Sequence, residues 1–509
     1  MLQITPASRQ EEVKERTLAV LDLGSGTFRL VVYRYRLGAY YLLADELREA
    51  VALGEGLARG RILPEALARG RKALRAFADF LKAVPVDEVV VLATSAIRDA
   101  ENGALVLEEA RALGLEAMVV PGEEEARLGV LAVANGLFLE DALVVDQGGG
   151  SAQISRMEGR RFRHGVALPL GALRLTEAFL PSDPPAKKEV RALEREVARR
   201  LKALSLEGGL PLVGLGGNVR AIARLHAKER GYPWEHLHGY FLPREGVEAL
   251  YEKVLGLPLK ARAELPGLEG HRARTLPASL AFLRLLLAHV GAPGLWVSGM
   301  GIREGAFFTR FLPPPHLLPD PRAFAVESLY LRYPFPEDHR DRVKRLALAL
   351  FEGLWPLHRY GEAERRLLQE AAHLHDIGMR LGYRDHHKHG AYLVYSEPLL
   401  GFSHREQALL GLLVRYHRRG DPSLGGLKPL TERGDAKRLL RLSALLRLAE
   451  MLERTRSGRV RGVRVELGEG VRLRLEADVD PWVERVEAAK QAGLFQKAFG
   501  LPLEVAATE

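Results

Sequence analysis

An apolar run that ends in aspartate and then in a turn of small residues occurs twice in this chain, and that repetition limits what the chain can fold into. Residues 18–23 lead into Gly24-Ser25-Gly26-Thr27, with Asp22 near the end of the run. Residues 143–146 lead into Gln147-Gly148-Gly149-Gly150-Ser151, with Asp146 in the matching place. A continuous apolar run bounded by a glycine turn predicts a buried strand. Residues 28–35 and 152–156 then read as returning strands, so each copy is a strand–turn–strand unit. Two glycine turns alike by chance are the bland alternative. An internal duplication instead predicts two related α/β domains facing each other across a cleft. Helical spacing over 64–83 and an apolar run over 88–93 continue the alternation, which extends to residue 311.

Composition narrows the chemistry. The 509 residues contain no cysteine, which excludes disulfides, thiolate zinc sites, iron–sulfur clusters and cysteine nucleophiles. Any metal must be held by oxygen and imidazole. The N-terminal sequence MLQITPASRQEEVKER is polar throughout, unlike a signal peptide, and apolar stretches such as 280–287 fall well short of the ~18 residues of a membrane helix. A soluble cytoplasmic protein is expected. The net charge of +9 is uneven, with +6 carried by residues 321–509. That excess suits a polyanionic partner, although a solvated arginine-rich surface has the same composition.

Beyond residue 311 the pattern changes. Prolines at 313, 314, 315, 319, 321, 334 and 336 predict a linker over 312–335. Residues 336–455 read as helical, and 456–509 as a small α+β piece built from a hairpin that turns at Gly468-Glu469-Gly470 and a helix over 481–499. The two domains before the linker divide at 1–135 and 136–311. No GxxxxGK[ST] loop occurs, so the chain is not a Walker-type NTPase.

Six motifs occur in order: Asp22-Leu-Gly-Ser-Gly-Thr-Phe-Arg29, Ala93-Thr-Ser-Ala-Ile-Arg98, Gly122-Glu-Glu-Glu125-Ala-Arg127, Asp146-Gln-Gly-Gly-Gly-Ser151, Gly214-Leu-Gly216-Gly217-Asn218 and Ser298-Gly-Met-Gly-Ile-Arg303-Glu-Gly305. Together they resemble the exopolyphosphatase/guanosine pentaphosphate phosphohydrolase (Ppx/GppA) family over residues 17–311. The resemblance implies duplicated actin-like, sugar-kinase-like (RNase H-like) domains and a phosphoanhydride hydrolase. Physical chemistry fits the parts. Glycine turns expose consecutive N–H groups to an anion, so Gly24, Ser25, Gly26, Thr27, Gly148, Gly149, Gly150, Ser151, Gly216, Gly217 and Asn218 are candidate phosphate binders. Arg98 offers a bidentate fork, unless it pairs with Asp99 or Glu101. By resemblance Glu125 is the base that deprotonates an attacking water, with Glu124 the neighbour most easily confused with it. A carboxylate beside a polyanion should have a raised pKa, as such a base needs. Asp146, and less directly Asp22, would hold Mg²⁺ (or Mn²⁺). Arg127 and Arg303 are as readily structural as ligand-binding.

The sequence departs from the family's usual Asp-Ile-Gly-Gly-Gly-Ser-x-Glu loop. Gln147 replaces the apolar residue and Gln153 replaces the glutamate, an amide that related nucleoside polyphosphate hydrolases also carry. Gly26 stands where asparagine is common. Three functions therefore stay open: an exopolyphosphatase, a guanosine pentaphosphate (pppGpp) 5′-phosphohydrolase linked to the stringent response, and a non-catalytic sensor of (p)ppGpp or polyphosphate. A sugar-kinase-like phosphotransferase is a fourth.

Residues 326–455 resemble the HD-type phosphohydrolase domain of long Ppx/GppA members. His339, His375-Asp376 and Glu450 would form its divalent-metal set, with His386, His389 and His417 nearby in sequence. The customary aspartates of that set are replaced by Glu450 and Glu453. Arg415, Arg418 and Arg419 are candidate polyanion-path residues that would lead a phosphate chain toward Glu125. The resemblance implies a homodimer, polyphosphate or guanosine pentaphosphate as substrate, and neither a membrane nor sequence-specific nucleic acid as partner.

Overall fold

The computed structural model describes residues 14–57 and 60–507. Most of the polar N-terminal sequence read above, up to residue 13, lies outside the described residues. The chain divides into two compact units, one ending at Pro321 and the other beginning at Arg322.

The first unit contains two sheets of the same design. Strands β1 (Arg16–Leu23), β2 (Thr27–Arg36), β3 (Tyr40–Ala50), β4 (Glu88–Ala93) and β5 (Ala117–Val119) lie in the order β3-β2-β1-β4-β5. Strands β6 (Ala142–Gln147), β7 (Ala152–Glu158), β8 (Arg161–Leu168), β9 (Leu212–Leu215), β10 (Tyr240–Pro243) and β11 (Gly294–Val297) lie in the order β10-β11-β9-β6-β7-β8. In each sheet the first strand pairs antiparallel with the second and parallel with the fourth. The duplication expected from the two aspartate–glycine turns is thus present in the topology. Even the register repeats, since Asp22 faces Arg29 and Asp146 faces Gln153.

Each sheet has its own core. Leu21, Phe28, Leu74, Phe77 and Val91 are buried in the first, and the helix Pro64–Ala83 that covers it carries its buried residues on one stripe. In the second, Val145, Ile222 and Leu295 pack with Leu280, Phe282 and Leu286. The helix Leu276–Val290 supplies the last three and is apolar nearly all round, which is why it is buried. The helix Ile302–Phe311 packs on the helix Gly122–Gly136, and at Gly305 the Leu128 carbonyl occupies the place of a Cβ. Glycine is what lets these two helices approach.

The second unit differs from the sequence expectation in two respects. The proline-rich stretch 312–335 contains the helix Pro321–Arg332, opened by Pro321 at a position where proline costs no hydrogen bond. The helix expected over 481–499 is two helices, Trp482–Ala489 and Ala492–Phe499, followed by a strand. The sheet of this unit has three strands, β12 (Val460–Leu467), β13 (Val471–Ala477) and β14 (Leu503–Ala507), in the order β12-β13-β14. The rest is helical, with the helix Asp435–Leu452 buried at its centre. Among the described residues no helix is long and apolar enough to cross a membrane.

Candidate functional site

Both glycine turns of the first unit open on one cleft of about 410 Å³. Gly24, Ser25, Gly26 and Thr27 line it from the first sheet, and Gly148, Gly149 and Ser151 from the second. Gly216, Gly217 and Asn218, at the start of the helix Gly216–Glu229, complete the same wall. These residues follow the C-terminal ends of central strands, where open α/β sheets leave backbone N–H groups free for a ligand. Gly150 is instead buried behind its loop, facing the Ser25 and Ser95 hydroxyls, which bond each other at 2.9 Å. Gly216 has a positive φ of 82°, and a Cβ there would collide with Asp146 Oδ1. Asn218 Nδ2 donates to the Gln147 carbonyl at 2.9 Å, tying this turn to the Asp146 loop.

Four carboxylates line the cleft: Glu55, which pairs with Arg69 at 2.6 Å, and Asp22, Glu125 and Asp146. Burial raises the Asp22 pKa, against Arg303 and Arg29. It pushes Asp146 up to about 6, with Arg220 opposing and Asp22 reinforcing. Glu125 is pushed up to about 7, first by burial and then by the charge of Asp146, while Arg98 holds it down. The raised carboxyl pKa expected at Glu125 is therefore present, and its causes are burial and the neighbouring Asp146. Asp22 Oδ1 is buried with no hydrogen-bond partner. Carboxylate oxygens gathered in this way, one of them unpartnered, fit a hard divalent cation.

The helix Gly122–Gly136 gives different surroundings to Glu124 and Glu125, the two glutamates most easily confused in the sequence. Glu124 is held by Arg127 through two bonds of 2.6 Å, which accounts for Arg127 as well. Glu125 lines the cleft. Arg98 is not a lining group. Its Nη1 donates to the Val120 carbonyl at 2.8 Å and to Glu125 Oε2 at 3.2 Å, and its Nε to Asp99 at 3.1 Å. The guanidinium expected to grip phosphate is thus paired with Glu125 and Asp99 in this structure. Gln153, though largely buried, lines the cleft as well, and its amide donates to Ser151 Oγ at 3.0 Å.

Several cleft residues were not singled out from the sequence. Arg48, Arg220, His271, Arg272 and Arg274 line it together with Arg29 and Arg303. Arg220 follows Asn218 by two residues on the same helix, a spacing that offered a usable signal. Arg48 and Arg272 arrive from distant segments and meet at Glu269, whose carboxyl they hold well below its ordinary range, with Arg48 the larger influence. No local pattern announces that meeting.

In the second unit the residues expected to hold a metal do come together. His339, His375 and Glu450 form one buried group whose donor atoms all lie within 4.8 Å of one another. Asp376 forms a second such group with His386 and His417. His389 belongs to neither. Of the two glutamates near the end of the helix Asp435–Leu452, Glu450 faces the histidines, whereas Glu453 accepts from Arg342 at 2.6 Å. Arg418 donates to the Tyr383 hydroxyl at 2.8 Å, Arg419 pairs with Asp385, and Arg415 lies over the Tyr416 ring.

Duplicated α/β domains whose glycine loops and carboxylates share one cleft define an actin-like fold built for phosphoryl chemistry. The profile of the Ppx/GppA phosphatase family matches residues 31–312, and that of Ppx/GppA phosphatase domain III matches 322–487. The chain belongs to the Ppx/GppA phosphatase family, and it is a hydrolase acting on phosphoanhydrides. A crystal structure of the Aquifex aeolicus family member is 28% identical, covering 58% of this chain and 98% of its own, with a TM-score of 0.51. An exopolyphosphatase-like protein is 25% identical over 57% of this chain and 96% of its own, with a TM-score of 0.52. An exopolyphosphatase from Cytophaga hutchinsonii, 21% identical over 58% of this chain and 98% of its own (TM-score 0.53), shares the fold. Phosphatases of this family generally use divalent metals.

Proposed function

We propose that this protein is an exopolyphosphatase that removes the terminal phosphate of inorganic polyphosphate. The observation that carries this reading is the lining of the cleft. Arg29, Arg48, Arg220, Arg272, Arg274 and Arg303 face it, whereas no phenylalanine, tyrosine or tryptophan lines it among the described residues. A run of guanidinium groups suits successive phosphates, and the His271 ring is the one aromatic side chain among the described lining residues on which a nucleobase could stack. The glycine loops and Ser25, Thr27 and Ser151 offer N–H and O–H donors to the terminal phosphoryl oxygens. Asp146 and Asp22 would hold Mg²⁺ (or Mn²⁺), which would neutralise phosphoryl charge. Glu125 takes the proton from the water that attacks the terminal phosphorus, and Arg98 positions its carboxylate.

A second reading, hydrolysis of the 5′-γ-phosphate of guanosine pentaphosphate, is favoured by Gln153, the amide in place of the family's glutamate. Phosphate release measured on both substrates with Mg²⁺ tests the assignment. Faster release per enzyme from polyphosphate is expected. Turnover of guanosine pentaphosphate alone would move the protein to the second reading, and tight binding of either without turnover would make it a sensor. ATP consumption dependent on an added acceptor would make it a phosphotransferase.

The pH dependence has a definite sign. Glu125 acts as a base only when ionised, so kcat/KM should rise as pH increases through about 7. Arg98 favours the ionised form, and Arg98→Ala should move that acid limb upward by about one pH unit. A limb that stayed in place would mean that a group other than Glu125 sets it.

In the second unit, His339, His375, Asp376 and Glu450 are proposed to hold a divalent ion, with Arg415, Arg418 and Arg419 as a path for a polyanion. A homodimer in the cytoplasm completes the proposal.

A further inference from the structure

We infer that residues 322–509 hold two transition-metal ions side by side, with Asp376 bridging them. The inference rests on the metal reading of His339, His375, Asp376 and Glu450, and adds a second ion held by His386 and His417. Five separate segments supply the donors: His339 from the helix Glu337–Gly353, His375 and Asp376 from the end of Glu362–Leu374, His386 from the start of His386–Tyr395, His417 from the end of His404–Tyr416, and Glu450 from Asp435–Leu452. All six are buried.

The hydrogen bonds of three of the four histidines turn their Nε2 atoms to the inner side of the cluster as acceptors. His375 Nδ1 lies 2.7 Å from the Ala372 carbonyl, His386 Nδ1 2.9 Å from that of Tyr383, and His417 Nδ1 2.7 Å from that of Val414. A carbonyl only accepts, so Nδ1 carries the proton in each ring and a neutral ring turns its Nε2 lone pair inward. His375 Nε2 then faces His339 Nε2 at 3.2 Å, and His386 Nε2 faces His417 Nε2 at 3.3 Å. In the His386–His417 pair both lone pairs face each other, and at this distance they repel unless a cation lies between them; in the other pair that holds for His375, while His339 Nδ1 has no hydrogen-bond partner.

The carboxylates complete the two sites. Glu450 Oε2 is 3.3 Å from both His339 and His375 Nε2. Asp376 divides its oxygens between the groups. Oδ2 lies 3.7 Å from His339 and 3.8 Å from His375, and Oδ1 lies 3.1 Å from His386 and 3.5 Å from His417. Arg456 Nη2 donates to Oδ2 at 2.5 Å, whereas Oδ1 has no hydrogen bond of acceptable geometry, and neither has Glu450 Oε2. Two buried carboxylate oxygens without donors, each beside a pair of imidazoles, point to one cation apiece. Four imidazoles favour Mn²⁺, Fe²⁺, Co²⁺ or Zn²⁺ over Mg²⁺, which prefers oxygen ligands. This distinguishes the pair from the all-carboxylate set around Asp146.

The test is made on the full chain carrying Asp146→Asn, so that the cleft contributes as little metal as possible. After loading with Mn²⁺ and gel filtration, elemental analysis should find about two ions per chain, the count a bridged pair requires. Its low-temperature EPR spectrum should show the many-line pattern of exchange-coupled Mn²⁺. His386→Ala and His417→Ala, on different segments, should each leave about one ion and an isolated six-line signal. One ion per chain in the parent, unchanged by either substitution, would overturn the pair while leaving the single-ion reading intact. No retained ion would overturn both. The spectrum of the parent decides the matter even where a histidine variant fails to fold.

Discussion

Glu125→Gln is expected to lower the rate of phosphate release by about 10²–10⁴-fold, the range that general-base catalysis contributes. Glutamine keeps the size and the hydrogen-bonding reach of glutamate but cannot accept a proton from water. The helix Gly122–Gly136 should be unaffected, because the Glu124–Arg127 pair and the packing of Ala126 and Leu128 do not involve Glu125. Tm should therefore hold or rise, since the substitution removes a carboxyl that burial already disfavours in its charged form. Glu124→Gln is the control, expected to leave the rate within a few-fold because Glu124 is held by Arg127. A normal rate in Glu125→Gln would refute the assignment of the base.

Asp146→Asn should cost about 10²–10³-fold in rate, corresponding to the several kcal/mol that charge neutralisation at transferring phosphoryl groups supplies. The variant has a second signature. Asp146 raises the Glu125 pKa by charge repulsion, so its loss should move the acid limb of kcat/KM to lower pH, opposite to Arg98→Ala. A general loss of structure would not displace the two limbs in opposite directions. A pH–rate profile of both variants checks this, and limbs that moved together would disprove the coupling of Glu125 to its two neighbours.

Much of the cleft is legible in the chain itself. The aspartate–glycine turns are local, since a strand end followed by small residues needs no tertiary information, and the shared strand order of the two sheets follows from their repetition. The choice between Glu124 and Glu125 was not local. It depends on which face of one helix meets Arg127 and which meets the cleft. The helix Pro321–Arg332 was hidden because proline density reads as a linker even where one proline opens a helix.

The sequence by itself determined the family, the two glycine loops, the absence of thiolate ligands and the residue types available to a metal. Tertiary structure alone decided how charge is distributed among them. Burial and the proximity of Asp146 bring Glu125 to about 7, and Arg98 is turned toward that carboxylate. Arg48 and Arg272, far apart in the chain, meet at Glu269 beside the cleft. Asp376 comes to lie between two histidine pairs from separate helices. The physical reason is the same in each case. A motif specifies backbone and side-chain type over a few residues, whereas desolvation and Coulomb interactions depend on what long-range packing places within a few ångströms.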